Sequence, residues 1–564
     1  MTDGTPHWVQ DAVFYQIFPD RFARSLRVVA PGPFEPWDAP PTRFGFKGGN
    51  LPGITEHLGE LRDLGVTALY LTPVFQSASN HRYQAYDYLA VDPLLGGTPA
   101  LRELVDACHA RGMRVVLDGV FNHAGRGFWA FHHVLEAGAA SPYRDWFVFD
   151  QARLDAGRPV RAYPSPEEQR ALEGAESTGA YRLGSASLRM LGYQAWWDQP
   201  ALPKWNTANP QAREYLLSVA EHWIRFGVDG WRLDVPEEIG DADFWRELRR
   251  RVRAINPEAY LVGEIWHEAP EWLTGDRFDA LMNYPLLEAV LGFTAGARLD
   301  RAAIAGQAEL ARNVVPLDAA GFASRLERTL SAYVPDVVAA QLNLLDSHDT
   351  PRFVTMAGGD RAALRLAVLL QMTLPGAPCI YYGDEVGLEG GADPDCRRAF
   401  PADPAAWDQS LRAFVRAAIA LRHAHPALRG AGSFRRVAAQ AMTHVHVRAG
   451  AGEVVLVAVN AGEAPERVEV MVPEAAGRSL AIEPLPGWSD LSAAGASSVA
   501  ASAGGASPRG AGADGTMSGA GSVRASGAGS GASGAVTAGP FRVGAGPIVL
   551  DVPAREGLVL RALG

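Results

Sequence analysis

The chain has very few cysteines. It holds three in 564 residues, Cys108, Cys379 and Cys396, which is an odd and widely spaced set. Such a set cannot supply the disulfide framework of a small secreted protein, and it fits a reducing compartment. The N-terminus also lacks a basic segment followed by an apolar run. We therefore expect no signal peptide and a cytoplasmic location.

Long apolar runs and an excess of basic charge are missing too. No apolar stretch approaches the ~18 residues of a membrane-spanning helix, so we expect no membrane partner. Lys and Arg together number 52 against 63 for Asp and Glu, which gives a net charge of −11. Without a basic run that could follow phosphates, we expect no nucleic-acid partner. What is present is a long chain with 48% hydrophobic residues, enough for several domains with a large core.

The first four hundred residues alternate strand-like and helix-like segments, which favours an α/β fold. The eight candidate strands are 13–18, 68–75, 115–122, 230–234, 260–266, 281–285, 342–346 and 379–383. The clearest candidate helices, with apolar residues at three- and four-residue spacing, are 54–64, 100–111, 211–226, 244–255 and 362–372. Asn209 and Asp243 are the expected helix caps. This pattern predicts a (β/α)₈ TIM barrel formed by residues 1–123 and 206–428.

Two insertions interrupt the barrel pattern. Residues 124–205 are too many for an ordinary loop after the third strand, and long structured insertions of this kind are usually lids or binding elements. We therefore expect an inserted substrate-binding subdomain that covers the barrel mouth, with the aromatic residues Tyr143, Trp146, Tyr193, Trp196 and Trp197. A second insertion, at about 294–340, has helical periodicity.

The C-terminal part of the chain changes character. Short β-type runs separated by Gly and Pro predict an all-β sandwich domain over residues 429–564. Within it, 38 of the 50 residues at 491–540 are Gly, Ala or Ser. Such a stretch buries too little apolar surface to offset the entropy of ordering it. We predict a disordered insertion at about 489–540, between two strands of this domain.

Chemically useful side chains follow four of the candidate strands. They lie in segments 118–123 (DGVFNH), 230–234 (GWRLD), 263–266 (GEIW) and 344–349 (LLDSHD). In a (β/α)₈ barrel, the C-terminal strand ends converge on one pocket. Two carboxyl groups that flank a glycosidic bond are sufficient to hydrolyse it. A single Asp at a strand end is usually a helix cap, so the prediction of a sugar-cleaving site depends on the combination.

Several of these residues suit particular roles. Arg232 and Asp234 are two positions apart on a strand and therefore share a face, so Arg232 should keep Asp234 ionised. Burial of Glu264 beside Trp266 should raise its pKa into the range of a general acid. The other candidates, suited to gripping ring hydroxyls, are His123, His348 and Asp349.

The four ordered segments resemble the signature segments of the α-amylase family of glycoside hydrolases. The resemblance covers roughly residues 8–425. It implies that Asp234 is the nucleophile, Glu264 the general acid/base and Asp349 the stabiliser of the transition state. It also implies a set of substrate-binding residues, namely Tyr86, Asp87, His123, Arg232, Trp266, His348, Arg352, Asp393 and Arg397.

Finer features are similar to the neopullulanase, cyclomaltodextrinase and maltogenic amylase group of that family. Residues 202–206 (LPKWN) resemble the group's fifth segment, and residues 383–398 are similar as well. Glu237 departs from the group, which typically has Asn there. The barrel also begins at about Trp8, without the N-terminal β domain that helps relatives to dimerise. Both a monomer and a homodimer therefore stay open.

The resemblance implies no cofactor. Secreted α-amylases bind calcium through the Asn that Asn122 matches and a backbone carbonyl near Glu238. In this chain, residues 24–42 lack the acidic loop of calcium-binding relatives, and no dense acidic cluster lies in 124–205. We therefore predict no metal site and no requirement for added metal.

Three functional hypotheses remain. The leading one is a retaining α-glucan hydrolase that cleaves α-1,4 bonds of cyclomaltodextrins, maltooligosaccharides or pullulan, with some transglycosylation; α-1,6 cleavage and endo or exo action stay open. The second is an exo-acting α-glucosidase or a glucan transferase on the same scaffold. The third is a non-catalytic carbohydrate-binding protein, which the presence of all three carboxylates disfavours.

Overall fold

The largest sheet of the protein is a closed parallel barrel of eight strands. The computed structural model describes residues 4–177, 184–430, 432–488, 499–501, 541–543 and 546–563. The barrel strands are β1 Phe14–Ile17, β2 Ala68–Leu71, β3 Arg114–Gly119, β4 Gly230–Leu233, β5 Tyr260–Gly263, β6 Ala280–Leu281, β7 Leu342–Leu344 and β8 Ala377–Tyr381. They pair in the order β6-β5-β4-β3-β2-β1-β8-β7. A parallel bridge between Met282 and Leu342 closes the ring. The predicted (β/α)₈ barrel is confirmed.

Nearly every residue of these strands is buried, as expected for parallel strands covered by helices on the outside and packed side chains inside. All eight predicted strands overlap an observed one. The sixth differs most, because the predicted segment 281–285 is mostly not strand. The Asn283 side chain accepts from the backbone N–H of Leu286, and the helix Tyr284–Ala295 begins there.

Six of the eight principal helices of the barrel begin at a side-chain cap, and Leu58–Leu64 and Gly97–His109 are the exceptions. The principal ones are Leu51–Glu56, Leu58–Leu64, Gly97–His109, Pro210–Phe226, Ala242–Ile255, Tyr284–Ala295, Arg361–Thr373 and Gln409–Ala424. Asn209 caps its helix as predicted. The predicted cap Asp243 is wrong: Asp241 caps that helix, and Asp243 lies in its first turn. Within the described ranges, no helix is both long and apolar enough to cross a bilayer.

The chain between β3 and the helix Pro210–Phe226 carries the first insertion. Its helices are Trp129–Ala137, Gln151–Asp155, Pro166–Ser177 and Ala186–Leu191. Antiparallel bridges join Phe147 to Trp205 and Phe149 to Tyr193, so the segment returns onto itself. A group of packed aromatic rings fills its interior, and Phe131 stacks on Phe149 at 5.4 Å between ring centroids.

The second insertion, before β7, is helical as predicted. Its helices are Arg301–Ile304, Ala308–Asn313, Ala319–Ser331 and Pro335–Ala340. The helix Ala319–Ser331 packs on Tyr284–Ala295, where Phe322 stacks on Phe293 with ring centroids 4.6 Å apart. The insertion therefore lengthens the helical layer beside β6 and β7.

An all-β domain follows the barrel, as predicted. One sheet has the strand order Ser433–Gln440, Thr443–Gly450, Glu453–Asn460, Gly557–Leu563, Ser479–Ile482 and Phe541–Arg542, and the other has the order Glu466–Val470, Ile548–Val552 and Val499–Ala501. Buried aliphatic side chains such as Val445, Leu456, Val468 and Leu550 form its core. Nearly all of the segment predicted to be disordered, 489–540, lies outside the described residues.

Candidate active site

A single guanidinium group joins three acidic side chains at the ends of β3, β4 and β5. Arg232 has no exposed surface. Its Nη1 atom donates to Oδ1 of Asp118 and to Oδ1 of Asp234, both at 2.9 Å. Its Nη2 atom lies 2.7 Å from Oε1 of Glu264, as an ion pair without hydrogen-bond alignment. Adjacent parallel strands thus bring residues 118, 234 and 264 together.

Burial dominates the electrostatics of the two central carboxyl groups. It raises the pKa of Asp234 well above its ordinary value; Arg232 opposes this, and Glu264 and Asp118 add to it. Burial also raises the pKa of Glu264, as predicted, again against Arg232. Arg232 therefore favours the ionised Asp234, as predicted, but burial outweighs it. Two acids this close titrate as a pair.

Asp349, in the loop after β7, has the opposite electrostatics. Its Oδ2 atom lies 3.0 Å from Nε2 of His348, and its Oδ1 atom accepts from Nη2 of Arg397 at 3.1 Å. Although burial opposes the shift, these two partners hold the pKa of Asp349 well below its usual range. Asp393, whose side chain is half exposed, pairs with Nη1 of Arg397 at 2.8 Å. Four predicted site residues thus form one connected group.

Tyr83 is the residue of this site that the sequence analysis missed. Its Oη atom lies 2.9 Å from Oδ2 of Asp118 and 2.5 Å from Nε2 of His348. Its ring stacks on that of His348, with the planes 4° apart. On the other side of the imidazole, the Gln16 amide lies 2.8 Å from Nδ1. Tyr83 therefore links the Arg232 group to the Asp349 group.

The structure places Tyr86 and Asp87 in a hairpin beside the barrel. The hairpin pairs Phe75–Ser77 with Ala85–Val91. The Tyr86 ring lies against Gly127, where an added Cβ would come within 2.5 Å of it. Asp87 accepts from the backbone N–H of Leu89 at 2.8 Å. Tyr86 therefore packs against the loop after β3, whereas Tyr83, three residues earlier, is the tyrosine that contacts His348.

His123 lies under the first insertion. It is 1% exposed, and its Nε2 atom is buried without a hydrogen-bond partner. Burial lowers the pKa of this imidazole to about 3, with Lys204 adding to the effect, so the ring is neutral. Trp196 stacks on the ring at 5.1 Å, and Trp197 stacks on Trp196 at 4.6 Å. Two aromatic side chains of the insertion thus cover His123.

Trp266 follows Glu264 by two residues on the C-terminal side of β5. Its indole stacks on Tyr284 with ring centroids 3.8 Å apart and planes 9° apart. Its Nε1 atom donates to Oε1 of Glu264 at 3.4 Å. The backbone N–H of Val235 donates to the other carboxyl oxygen at 3.2 Å. The Glu264 side chain is therefore oriented from both sides.

Arg352 has no exposed surface and contacts the loop that follows β8. Its Nη1 atom donates to the backbone oxygen of Tyr382 at 2.6 Å, and its Nε atom to that of Cys396 at 2.9 Å. The guanidinium also lies over the Tyr381 ring, 3.8 Å from its centroid. Arg352 thus holds the loops after β7 and β8 together.

A lysine ammonium occupies the place between Asn122 and the loop after β4. Lys204 donates from Nζ to Oδ1 of Asn122 at 3.0 Å and to the backbone oxygen of Glu238 at 2.5 Å. These are the two oxygen ligands that the resemblance associates with calcium in secreted relatives. In the part of the chain that the structure describes, no group of three or more His, Cys, Asp or Glu side chains is placed to hold a metal ion.

Comparison with known proteins agrees with this geometry. Residues 16–495 match a family model described as alpha amylase, catalytic domain. The chain is 42% identical over 471 residues to a cyclomaltodextrinase of Geobacillus thermopakistaniensis (strain MAS1), which covers 83% of this chain and 71% of that protein. It is 41% identical over 479 residues to neopullulanase 2 of Thermoactinomyces vulgaris, covering 84% and 73%.

A solved structure gives the same result for the fold. The debranching enzyme of Nostoc punctiforme superposes with a TM-score of 0.77 at 39% identity, over 99% of each chain. Both chains therefore share the barrel and the C-terminal β domain. The match to the family model covers most of this chain, and the identities lie far above chance. The protein belongs to the α-amylase family of glycoside hydrolases.

Proposed function

We propose that this protein is a retaining α-glucan hydrolase in which Asp234 is the nucleophile, Glu264 the general acid/base and Asp349 the stabiliser of the transition state. The observation that supports this most directly is the position of Arg232, which contacts both Asp234 and Glu264. Two carboxyl groups that flank a glycosidic bond are the equipment for double displacement.

The contacts of Arg232 suggest where the proton of the acid pair resides. Arg232 donates an aligned hydrogen bond to Asp234, whereas its contact with Glu264 is not aligned. A hydrogen bond to the charged form favours that form. Glu264 also accepts hydrogen bonds, from the Val235 N–H and from Nε1 of Trp266. We propose that Asp234 is the carboxylate and that Glu264 carries the proton, as their roles in double displacement require.

The reaction then follows in two steps. Asp234 attacks the anomeric carbon while Glu264 gives its proton to the departing glycosidic oxygen, which forms a covalent glycosyl ester. Glu264, now a carboxylate, takes a proton from water, and that oxygen attacks the same carbon and releases Asp234. A sugar hydroxyl in place of water gives transglycosylation.

The neighbouring polar groups suit the ring that reacts. Asp349 stays ionised beside His348 and Arg397 and is suited to accepting from ring hydroxyls. The unpartnered Nε2 atom of His123 is available to another hydroxyl. Tyr83, stacked on His348, offers an aromatic face to the apolar side of the ring. We assign the predicted binding residues His123, His348 and Arg397 to this place, with Trp266 beyond Glu264.

The substrates we propose are cyclomaltodextrins, maltooligosaccharides and pullulan. Support comes from the relatives named cyclomaltodextrinase and neopullulanase. The similarity to an enzyme named as a debranching enzyme favours cleavage of α-1,6 bonds as well. An exo-acting α-glucosidase or a glucan transferase remains the alternative, because loops decide specificity on a shared barrel.

Chromatography of the products from α-cyclodextrin, pullulan and maltotriose, measured side by side, tests this proposal. We expect all three to be degraded by the wild type and not by Asp234→Ala, whose rate should fall by about three orders of magnitude or more. The control is Asp63→Ala, which removes an exposed acid of the helix Leu58–Leu64. Glucose release from chain ends without attack on α-cyclodextrin would favour the α-glucosidase.

Asp234→Ala must also keep the wild-type melting temperature for this result to count. If the folded variant kept more than about a tenth of the wild-type rate, the assignment of the nucleophile would be wrong.

We further propose a cytoplasmic location, because Cys108, Cys379 and Cys396 are all unpaired and buried.

A further inference from the structure

The chain contains only two lysines, Lys47 and Lys204, beside fifty arginines. Lysine is normally a surface residue. Here the Lys47 side chain is 0% exposed and that of Lys204 is 17% exposed. Each ammonium donates to backbone carbonyls in loops at the C-terminal end of the barrel. Both lysines therefore serve inside the protein, as buried arginines such as Arg352 also do.

Lys47 lies in a cage of oxygen atoms made by the loop after β1. Its Nζ atom donates to the backbone oxygens of Pro36 and Ala39, each at 2.6 Å, and lies 3.5 Å from Oε2 of Glu35. A compact ammonium with three donors fits these converging oxygen atoms. Oxygen atoms surround the ammonium as they would surround a bound metal cation, but this cation is covalently attached to the chain.

The caged turn, residues 36–39, contacts the segment that carries Arg397. Trp37 lies inside this turn, and its Nε1 atom donates to the backbone oxygen of Phe400 at 2.8 Å. The backbone N–H of Phe400 donates to the backbone oxygen of Arg21 at 2.8 Å. Arg397, three residues before Phe400, donates to Asp349. The turn is thus two contacts away from the proposed stabiliser of the transition state.

The backbone beside Lys47 makes a second connection to the same segment. The Lys47 N–H donates to Oδ2 of Asp20 at 2.9 Å, and that carboxylate pairs with Nε of Arg21 at 2.7 Å. Arg21 donates from Nη1 to the backbone oxygen of Arg397 at 3.3 Å and from Nη2 to that of Gly45 at 2.8 Å. Through Asp20 and Arg21, the backbone of Lys47 is therefore connected to the backbone of Arg397.

We propose that Lys47 is a positioning residue: its ammonium is a tethered cation that holds the turn 36–39 against the Arg397 segment and so keeps Arg397 on Asp349. The effect on turnover rests on the proposed function. The effect on the turn itself does not.

Chemical rescue of Lys47→Ala tests the cage. The substitution removes Cγ, Cδ, Cε and Nζ, which propylammonium can replace. We expect kcat to fall by about tenfold or more with a smaller change in KM, because displacement of a supporting residue misplaces the reacting groups. The melting temperature should also fall, and propylammonium chloride should partly restore both. Sodium chloride and 1-propanol at equal concentration should not.

Two further variants and one control test the contacts that connect Lys47 to Arg397. Lys47→Met keeps the stem without the charge and should behave like Lys47→Ala without rescue; it also decides the question if Lys47→Ala does not fold. Trp37→Phe removes the indole donor to Phe400 and should lower kcat without rescue by propylammonium. Arg62→Ala, which removes an exposed charge, should match the wild type with and without the amine.

The pH profile separates positioning from a purely structural role. If Arg397 is displaced, Asp349 loses a cationic partner, so the acid limb of kcat/KM should move to higher pH in Lys47→Ala and Lys47→Met. An unchanged kcat and acid limb in the folded variants would overturn the proposal, as would unchanged kcat in Trp37→Phe. A wild type without glucan turnover would refute the proposed function, while rescue of the melting temperature would still test the cage.

Discussion

The Nη2 atom of Arg232 lies 2.7 Å from Oε1 of Glu264, and its Nη1 atom lies 2.9 Å from Oδ1 of Asp234. One guanidinium therefore spans the proposed acid and the proposed nucleophile. The same Nη1 atom also contacts Asp118. A single positive charge cannot compensate three buried carboxylates, so the group favours a shared proton.

This relationship predicts the effect of Arg232→Lys. One ammonium cannot reach both carboxyl groups, since it lacks the planar fork of the guanidinium. We expect kcat/KM to fall by about a hundredfold or more. The free energy of unfolding should fall by up to about 3 kcal/mol, because a buried carboxylate loses its cationic partner. Arg246→Lys, at an exposed ion pair, is the control. Wild-type kinetics in Arg232→Lys would contradict the proposed charge distribution.

The anomeric form of the first product reports the mechanism. Double displacement requires the two working carboxyl groups about 5–5.5 Å apart and retains the configuration. NMR spectra taken in the first minutes of maltotriose hydrolysis should show the α-anomer of the newly formed reducing end before mutarotation. Initial appearance of the β-anomer would rule out Asp234 as a nucleophile.

Lys204 predicts that calcium removal has no effect. Its ammonium donates to Oδ1 of Asn122 and the backbone oxygen of Glu238, so a cation is already present between these loops. Dialysis against EDTA should leave both activity and melting temperature unchanged. Lys204→Met should lower the melting temperature, because the two oxygens lose a charged donor. Loss of activity with EDTA and its return with Ca²⁺ would show a site elsewhere.

The buried carboxyl group of Glu288 predicts that the free energy of unfolding falls as pH rises from mildly acidic to alkaline values. Burial raises its pKa from 4.5 to about 7, against a hydrogen bond from Asn313. The folded state thus binds the proton more tightly than the unfolded state, and the associated stability is lost as pH rises from about 4.5 to 7. Urea unfolding at pH 8 should find Glu288→Gln more stable than the wild type by on the order of 2 kcal/mol. This difference in stability between Glu288→Gln and the wild type should be smaller at pH 5. The control Glu60→Gln, at an exposed position, should have the stability of the wild type at both pH values.

His444 predicts a loss of stability in acid. It lies fully buried at the contact between the β domain and the helix Ala319–Ser331, with the Phe322 ring 5.0 Å away and both ring nitrogens without hydrogen-bond partners. Burial lowers its pKa from 6.5 to about 3, and Arg436 adds to the effect. The unfolded state therefore binds a proton that the folded state does not.

Stability should accordingly fall as pH drops below about 6.5. His444→Gln should make the decline between pH 7 and pH 5 shallower, as measured by thermal unfolding. His132→Gln, at an exposed helix position, should leave the slope unchanged. Equal slopes in the wild type and His444→Gln would mean that another group dominates the acid response.

The sequence was informative where a residue's role depends on local pattern. Alternating apolar runs predicted all eight barrel strands, because parallel strands must be buried on both faces. The spacing of Arg232 and Asp234 predicted their shared face, because side chains on a strand alternate. Helix caps were less certain: Asn209 was placed correctly, but Asp241 and Asp243 are equally plausible acids two residues apart.

Loop residues were less predictable. Tyr86 and Tyr83 lie in the same short segment, and only the fold of the hairpin turns Tyr83 toward His348 and Tyr86 toward Gly127. Arg352 matched a binding position by its place after β7, and its Nη1 and Nε atoms donate to backbone carbonyls of the loop after β8. Neither contact has a local periodicity that a sequence could display.

The sequence alone thus determined the barrel, the β domain and the strand ends at which Asp234, Glu264 and Asp349 stand, because burial and alternation act over a few neighbouring residues. Only the tertiary structure decided which groups those carboxylates meet and how their pKa values shift. It also revealed that Lys47 and Lys204 serve as internal cations. Charge and hydrogen bonding act through space, between loops that are hundreds of residues apart along the chain, so their outcome depends on how the loops pack.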